Sequence, residues 1–184
     1  VIKLEDAGAT IDMLQSDLFL PVCSLLENFA AEKVTAVFLK AIEFLKAILK
    51  AMPECGIKVP SHGIRNHLRA FTRAIIIKLG DNNGRVREES SKALDILCLD
   101  EAFGPTFIVP LLLEVPEKTG KHGTGSSSSS SSSSYRSVHG RLTYVSSMVG
   151  RYQLKPKGCL TSQDVVKLLI VMKACQHSNG KVRE

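Results

Sequence analysis

Cysteines and histidines are the side chains in this sequence whose chemistry would suit a catalytic or metal centre, but their spacing favours neither. His62 and His67 are five residues apart, which does not place them on one helical face, and no CxxC pair or HExxH motif is present. Three cysteines lie inside apolar helical patterns, where a reduced thiol acts as a small hydrophobic side chain; they are Cys23, Cys98 and Cys175. No Cys–His pair stands out, so we expect neither a metal site nor an enzyme.

A glycine-rich stretch from Gly120 to Gly125 has the outer glycine spacing of a phosphate-binding P-loop. Ser126 and Ser127 stand where that motif needs Lys followed by Ser or Thr to reach phosphate and magnesium. The stretch continues into nine consecutive serines, which cannot bury apolar area. We therefore expect residues 115–135 to form a disordered Ser/Gly-rich loop, and we expect no cofactor.

A basic turn motif occurs twice and is the most informative pattern in the chain. Asn-Gly-Arg-Val-Arg-Glu ends at Glu88, and Asn-Gly-Lys-Val-Arg-Glu ends at Glu184, 96 residues later. That offset corresponds to two units of a helical-hairpin repeat of about 40–47 residues. Lys33-Val34 is a weaker echo of Arg85-Val86. The motif therefore indicates an internal repeat.

The residues around Arg85 indicate how the motif is built. The short polar residues just before it can end one helix and cap the next. Val86 is expected to face inward, because Ala93, Leu94 and Leu97 follow it at helical spacing. Arg85 and Arg87 lie off this apolar stripe, so the turn presents basic side chains outward.

Apolar residues recur every three or four positions along most of the chain, which predicts helices. The predicted helices begin near positions 11, 34, 64, 84, 107, 138, 161 and 181. No segment has the sustained alternation of a strand. We predict an all-α fold in a single domain, 1–184: an α-solenoid of about four HEAT-type helical hairpins, the last incomplete, with C-terminal repeats missing. Every hairpin turn then falls on one edge, which would form a continuous binding strip.

The charge of the chain favours an acidic partner. Its net charge is +6 over 184 residues. Nucleic-acid-binding proteins usually present many cations, often with aromatics for stacking, whereas each turn here offers one or two cations flanked by Asp81 or Glu88. A folded acidic protein is therefore a better candidate than nucleic acid. The sequence has no signal peptide and no apolar run of about 18 residues, so we expect an intracellular protein without a membrane partner.

Two structural interpretations of the basic residues stay open at this point. In many proteins, residues such as Arg85 and Lys181 are solvent-exposed cations in the first turn of a helix and have no binding role. Arg87 and Arg183 occupy a position at which a HEAT-type arginine often pairs with an acid of the repeat array. Asp81, Asp95 and Glu88 are the candidate acids for Arg87.

The helical hairpins and their turn motif resemble HEAT repeats of the TOG class, and in particular the TOG domain of a large centrosomal and ciliary-tip protein. This resemblance implies that the turn edge binds αβ-tubulin, whose outer surface is acidic. By position, the resemblance implies contacts from the first, second and fourth turns; these residues are Phe29, Lys33, Arg85, Val86, Arg87, Lys181 and Arg183. The third turn would contribute from residues around Lys121 to Arg136.

Two functional hypotheses follow. In the first, the chain is a non-catalytic module that captures αβ-tubulin and supports microtubule, centriole or ciliary-tip regulation, while the rest of a longer protein contacts other centrosomal or ciliary proteins. The resemblance then implies a cytoplasmic, cytoskeletal location at the centrosome or centriole and the cilium tip. In the second, the array is a HEAT-type scaffold that docks a kinase or transport adaptor through another face, and Arg85 and Lys181 can be changed without loss of the partner.

Overall fold

A computed structural model describes residues 19–54, 62–100, 103–114, 132–152, 160–171 and 180. Within these ranges the chain contains α-helices and no strand. The helices are α1 (Phe19–Ala31), α2 (Thr35–Glu54), α3 (His62–Lys78), α4 (Gly84–Leu99), α5 (Pro105–Leu113), α6 (Ser132–Tyr152) and α7 (Ser162–Val171). The all-α prediction is confirmed.

The helices form two layers joined as consecutive hairpins. In one layer α1 packs against α3, α3 against α5, and α5 against α7; in the other, α2 packs against α4. A hydrogen bond from the Tyr144 hydroxyl to Asp95 Oδ1, 2.9 Å long, joins α4 to α6 and continues the second layer. Successive hairpins therefore contact mainly their neighbours, which is the arrangement of an α-solenoid.

The core lies between the two layers and is centred on α3. Leu68, Phe71, Ile75 and Ile76 of this helix are fully buried. The first three follow the three-or-four-residue spacing from which the helix was predicted. The largest buried side chains from the rest of the chain belong to the same core cluster; they are Leu26, Phe38, Ile42, Leu45, Leu94, Leu97, Phe103 and Ile108.

Local sequence signals explain where several helices begin. Gly104, with φ of 65°, precedes α5, and Pro105 is its first residue, where the missing proline N–H costs no helical hydrogen bond. Thr161 and Asp164 form reciprocal hydrogen bonds at the start of α7: the Asp164 N–H donates to Thr161 Oγ1 over 3.2 Å, and the Thr161 N–H donates to Asp164 Oδ2 over 2.9 Å. Thr161 and Asp164 thus form a capping box, and the hydrogen bonds that the Asp164 carboxylate accepts from the Thr161 hydroxyl, over 2.7 Å, and from the Thr161 N–H lower its pKa.

Arginine side chains of α3 and α6 hold the C-terminal end of α5. Arg73 of α3 donates two hydrogen bonds to the Glu114 carboxylate, of 2.5 and 2.8 Å. Arg141 of α6, 4% exposed, donates to the backbone carbonyls of Leu112 and Glu114 over 3.1 and 2.6 Å. Its burial lowers the Arg141 pKa to about 10, against the opposing effect of Glu114. A cation at the C-terminus of α5 also complements the helix dipole.

One predicted boundary differs from the structure, and three predicted segments lie wholly or partly outside the described residues. α6 begins at Ser132, so the final residues of the predicted 115–135 loop are helical, consistent with the acceptance of serine at helix N-termini. Residues 115–131 lie outside the described ranges, as do residues 11–18 of the first predicted helix and residues 181–184 of the last. Among the described helices, none combines the length and apolar character needed to cross a bilayer.

Candidate functional site

The turns that join the helices of each hairpin meet at one edge of the array. The Asn83 amide of the second turn donates to Thr35 Oγ1 beside the first turn over 3.3 Å. The Arg136 guanidinium, near the start of α6, donates to Asn82 Oδ1. We call residues 29–34, 77–87 and 135–137 the turn edge. The first two turns and the start of α6, the second helix of the third hairpin, are therefore in direct contact at one edge, as the repeat pattern predicted.

The second turn is held by its own polar side chains. Asn83 is the N-cap of α4: its Oδ1 accepts a 3.0 Å hydrogen bond from the Arg85 N–H. The Asn83 N–H in turn donates to Asp81 Oδ1 over 2.9 Å. Arg87 Nη1 donates to the carbonyls of Asp81 and Asn82 over 2.8 and 3.1 Å. These bonds fix the direction in which α4 and its first side chains leave the turn.

Lys78 connects the second turn to the first. Its Nζ donates a 2.8 Å hydrogen bond to the Glu32 carbonyl, just after the end of α1, and lies 3.7 Å from Asp81 Oδ2. The same ammonium lies 5.7 Å from the centre of the Phe38 ring. The Lys78 side chain is only 14% exposed, so this bridge is largely shielded from water.

Two glycines allow α6 to approach the second turn. A Cβ on Gly140 would lie 2.2 Å from the Leu79 carbonyl oxygen, and a Cβ on Gly80 would lie 2.6 Å from the Ser137 nitrogen. Backbone atoms cannot move aside as the end of a flexible side chain can. The backbone contact between α3 and α6 therefore requires both glycines, and it places Arg136 within reach of Asn82.

The predicted tubulin-contacting residues fall into three groups. Arg85 and Lys33 are exposed, and among the described residues neither side chain makes a hydrogen bond or an ion pair. Phe29 is 41% exposed on the last turn of α1, whereas Val86 is 2% exposed and belongs to the core beneath the turn, as its inward orientation in the sequence predicted. Lys181 and Arg183 lie outside the described residues.

Arg87 has a structural role, although its partners differ from those expected. Of the candidate acids for Arg87, Asp95 accepts hydrogen bonds from Tyr144 and Arg151, and Glu88 pairs with Lys92 at 2.8 Å. Arg87 instead donates to backbone carbonyls of its own turn. Its guanidinium stays partly accessible, because the residue as a whole is exposed.

The predicted equivalence of Lys33-Val34 and Arg85-Val86 is wrong. Val34 is 55% exposed and precedes α2, whereas Val86 is buried within the first turn of α4. Phe38 is the buried residue in the first turn of α2. The first turn therefore offers Lys33 at a position before the helix, while the second offers Arg85 within it.

The acidic residues nearest to Arg85 along α4 are paired with Lys92, so they do not form ion pairs with the Arg85 guanidinium. Lys92 pairs with both Glu88 and Glu89, at 2.8 and 3.0 Å. Hydrogen bonding to Lys92, with a smaller effect of Arg85, lowers the pKa of the Glu88 carboxyl. The nearest acid of α4 is thus already engaged, so Arg85 remains available to an external anion.

Burial holds the Cys23 thiol and the Tyr144 hydroxyl in their protonated forms. Burial raises the pKa of the Cys23 thiol to about 12, so it carries no reactive thiolate at neutral pH. Burial also raises the pKa of Tyr144, whose hydroxyl lies between Cys98 and Asp95. Within the described ranges, no group of three or more His, Cys, Asp and Glu residues could hold a metal ion.

Lys78, Ile77 and the Gly80–Gly140 contact were not predicted as parts of the site, and Arg136 was predicted only as the limit of a range. A glycine inside an otherwise helical pattern, such as Gly140, was the available signal for a close backbone approach. Lys78 and Ile77 had no comparable signal, because their roles depend on residues that are distant in sequence.

Comparisons with known proteins identify the fold. No family model matches the chain, and no curated protein matches it. Among solved structures, the CEP104 TOG domain is similar, with a TM-score of 0.68 and 15% sequence identity. The match covers 97% of this chain and 62% of that structure, so this chain spans less than two thirds of its length. The chain therefore has the fold of a TOG domain, the class of HEAT-repeat array that its turn motif resembles.

Proposed function

We propose that this chain is a non-catalytic module that binds αβ-tubulin through the turn edge. The observation that carries the proposal is the pair of exposed cations, Lys33 and Arg85, on turns that are held by internal hydrogen bonds. Because neither side chain is engaged by a described residue, both can meet carboxylates of a partner without breaking an internal ion pair. The TOG fold supports tubulin as the partner, since tubulin presents an acidic outer surface.

The internal hydrogen bonds of the turns lower the entropic cost of binding. A partner that meets flexible side chains and loops must order them, whereas here Asn83, Arg87 and Lys78 already hold the turns. Each well-placed anchor is worth about 1–3 kcal/mol, and added salt weakens such contacts. We assign the direct electrostatic contacts to Lys33 and Arg85, and a supporting role to Arg87 and the buried Val86.

Phe29 adds an apolar contact beside Lys33 in this proposal. Its 41% exposure leaves part of the ring open at the end of α1. In the fourth turn, Lys181 and Arg183 repeat the motif of Arg85 and Arg87, and we propose that they extend the same contact. The partner is then a protein rather than nucleic acid or a membrane. Its cellular setting is the cytoskeleton, at the centrosome or centriole and the cilium tip, where other modules of a longer chain would act alongside it.

The test is co-elution of the 184-residue chain with purified αβ-tubulin on size exclusion, at low and moderate salt. The double variant Lys33→Glu, Arg85→Glu should lose the shifted peak, and Lys181→Glu should weaken it. A matched control, Lys46→Glu with Lys50→Glu, changes the net charge equally on exposed positions of α2 away from the turns and should still bind.

Circular dichroism of each variant establishes that it is folded. Absence of a complex between the wild type and tens of micromolar tubulin would reject the proposal. Equal binding by the Lys33/Arg85 variant and its control would reject the turn edge as the site and favour a scaffold that docks its partner through another face.

A further inference from the structure

A groove of about 440 Å³ opens beside the two turns of the turn edge. Its lining combines small and apolar side chains with cations; the lining residues include Ala31, Ala74, Ile77, Lys78, Asn82 and Arg136. We infer that this groove, whose lining lies largely within the turn edge, is a contact site in addition to Lys33 and Arg85, and that it takes an acidic segment of the bound protein carrying one apolar side chain. This inference rests on the proposed function.

The apolar part of the groove is provided by α3. Ile75 and Ile76 are fully buried, but the next residue, Ile77, is 57% exposed and lines the groove. Single exposed apolar residues are common on protein surfaces. Ile77 differs because Ala31 and Ala74 leave a concave space next to it. An apolar side chain of a partner can enter that space and remove the exposed part of Ile77 from water.

The charged part of the groove favours a carboxylate. Arg136 donates to the neutral amide oxygen of Asn82, so this contact does not neutralise its charge. Lys78 lies near Asp81, which offsets one of the two cations in the lining. The lining therefore keeps a net positive charge, and a segment with a carboxylate beside its apolar residue complements both parts.

The position of the groove allows one partner to fill it and contact Arg85 at once. Asn82 forms part of the groove wall, and it lies in the same turn as Asn83, which caps the helix that carries Arg85. Interfaces with the strongest binding place an apolar anchor in a pocket and surround it with polar contacts. Here Ile77 would supply the pocket, with Arg136 at Asn82 and Arg85 in the helix that follows the same turn.

The test is a fluorescence titration of labelled αβ-tubulin with the 184-residue chain and paired variants. Ile77→Ser removes the apolar surface, and Leu99→Ser makes the same kind of change at a 74% exposed leucine at the other end of α4. Arg136→Gln removes the groove cation, and Lys50→Gln removes an exposed cation of α2. Each groove variant should weaken binding about tenfold, while its control stays within about twofold of the wild type.

The outcomes separate this inference from the proposed function. If Ile77→Ser binds like Leu99→Ser while Lys33→Glu, Arg85→Glu abolishes binding, then the groove is not a contact site, and the exposed cations Lys33 and Arg85 alone carry the contact. If the wild type does not bind tubulin, the proposed function fails and the groove has no role in it. Ile77 is exposed, so Ile77→Ser should keep the helical circular dichroism and the melting temperature of the wild type.

Discussion

Replacing Lys78 by Met should destabilise the protein and weaken the turn edge at the same time. Met retains most of the apolar stem but removes the ammonium that donates to the Glu32 carbonyl, lies near Asp81 and faces the Phe38 ring. A charge-assisted hydrogen bond contributes about 1.5–3 kcal/mol, and a cation–π contact about 0.5–1 kcal/mol. Water can reach the exposed Glu32 residue and restore part of this loss.

We therefore expect Lys78→Met to lower the free energy of unfolding by about 2 kcal/mol. With a urea m-value of about 2 kcal/mol/M, the unfolding midpoint should fall by about 1 M while m stays constant. Binding to tubulin should also weaken, because the first and second turns would no longer be held together. Urea titration monitored by circular dichroism measures the first effect, and the tubulin titration the second.

Lys92→Met is the matched control for this prediction. Lys92 makes ion pairs of 2.8 and 3.0 Å with Glu88 and Glu89, but its side chain is 52% exposed. Exposed pairs within one helix contribute little, so the control should have nearly the wild-type midpoint despite its short contacts. An equal loss of stability in the two variants would show that shielding of Lys78 from water does not strengthen its bridge, and would refute the reasoning.

Two further predictions concern the third hairpin. Gly140→Ala should destabilise the protein by about 2–3 kcal/mol, because its Cβ would overlap the Leu79 carbonyl. A Cβ at Gly150 on the same helix would meet no atom within 4 Å, so Gly150→Ala should stabilise the protein by about 1 kcal/mol through helix propensity. Urea unfolding midpoints that change in the same direction in both variants would contradict this prediction. Hydrogen bonding to Arg73 holds the pKa of Glu114 below its ordinary value of about 4.3. The stability that this interaction contributes is present when the pH is above the ordinary pKa of glutamate, and it is lost as the pH falls through the lower pKa of the folded protein. Glu114→Gln should therefore reduce the loss of unfolding free energy on acidification. An unchanged pH dependence would argue against a stabilising role of the Glu114–Arg73 interaction.

The local parts of the fold were predictable from the sequence. Apolar spacing located α3 and α4, and the polar residues before Arg85 indicated a capped turn, which Asn83 provides. The inward orientation of Val86 also followed from the helical period. These features depend on residues within a few positions of one another, where backbone hydrogen bonding and helical geometry dominate.

Contacts between distant residues were not predictable in the same way. Lys33 was aligned with Arg85 by residue type, but the burial pattern of α2 begins at Phe38, so the first turn has a different register. One interpretation of Arg87 paired it with an acid, whereas the turn brings two backbone carbonyls within its reach. These contacts depend on how the helices pack in three dimensions, and a single sequence does not show which distant residues pack together. The predicted roles of Lys181 and Arg183 and of the loop at 115–131 stay predictions.

The contacts of Arg141 bear on how well the protein can tolerate changes in the length and sequence of the connection between α5 and α6. Arg141 holds the carbonyl of Glu114, the last residue before that connection, and Gly140 fixes the start of α6 against the second turn. Both flanks are therefore positioned by atoms outside the connection. Because the entropy of loop closure rises only slowly with length, segments of different length and composition can be exchanged between residues 114 and 132 while the flanking helices keep their places. This makes the connection a natural point for diversification between related proteins, and a practical one for inserting a fluorescent reporter beside the turn edge.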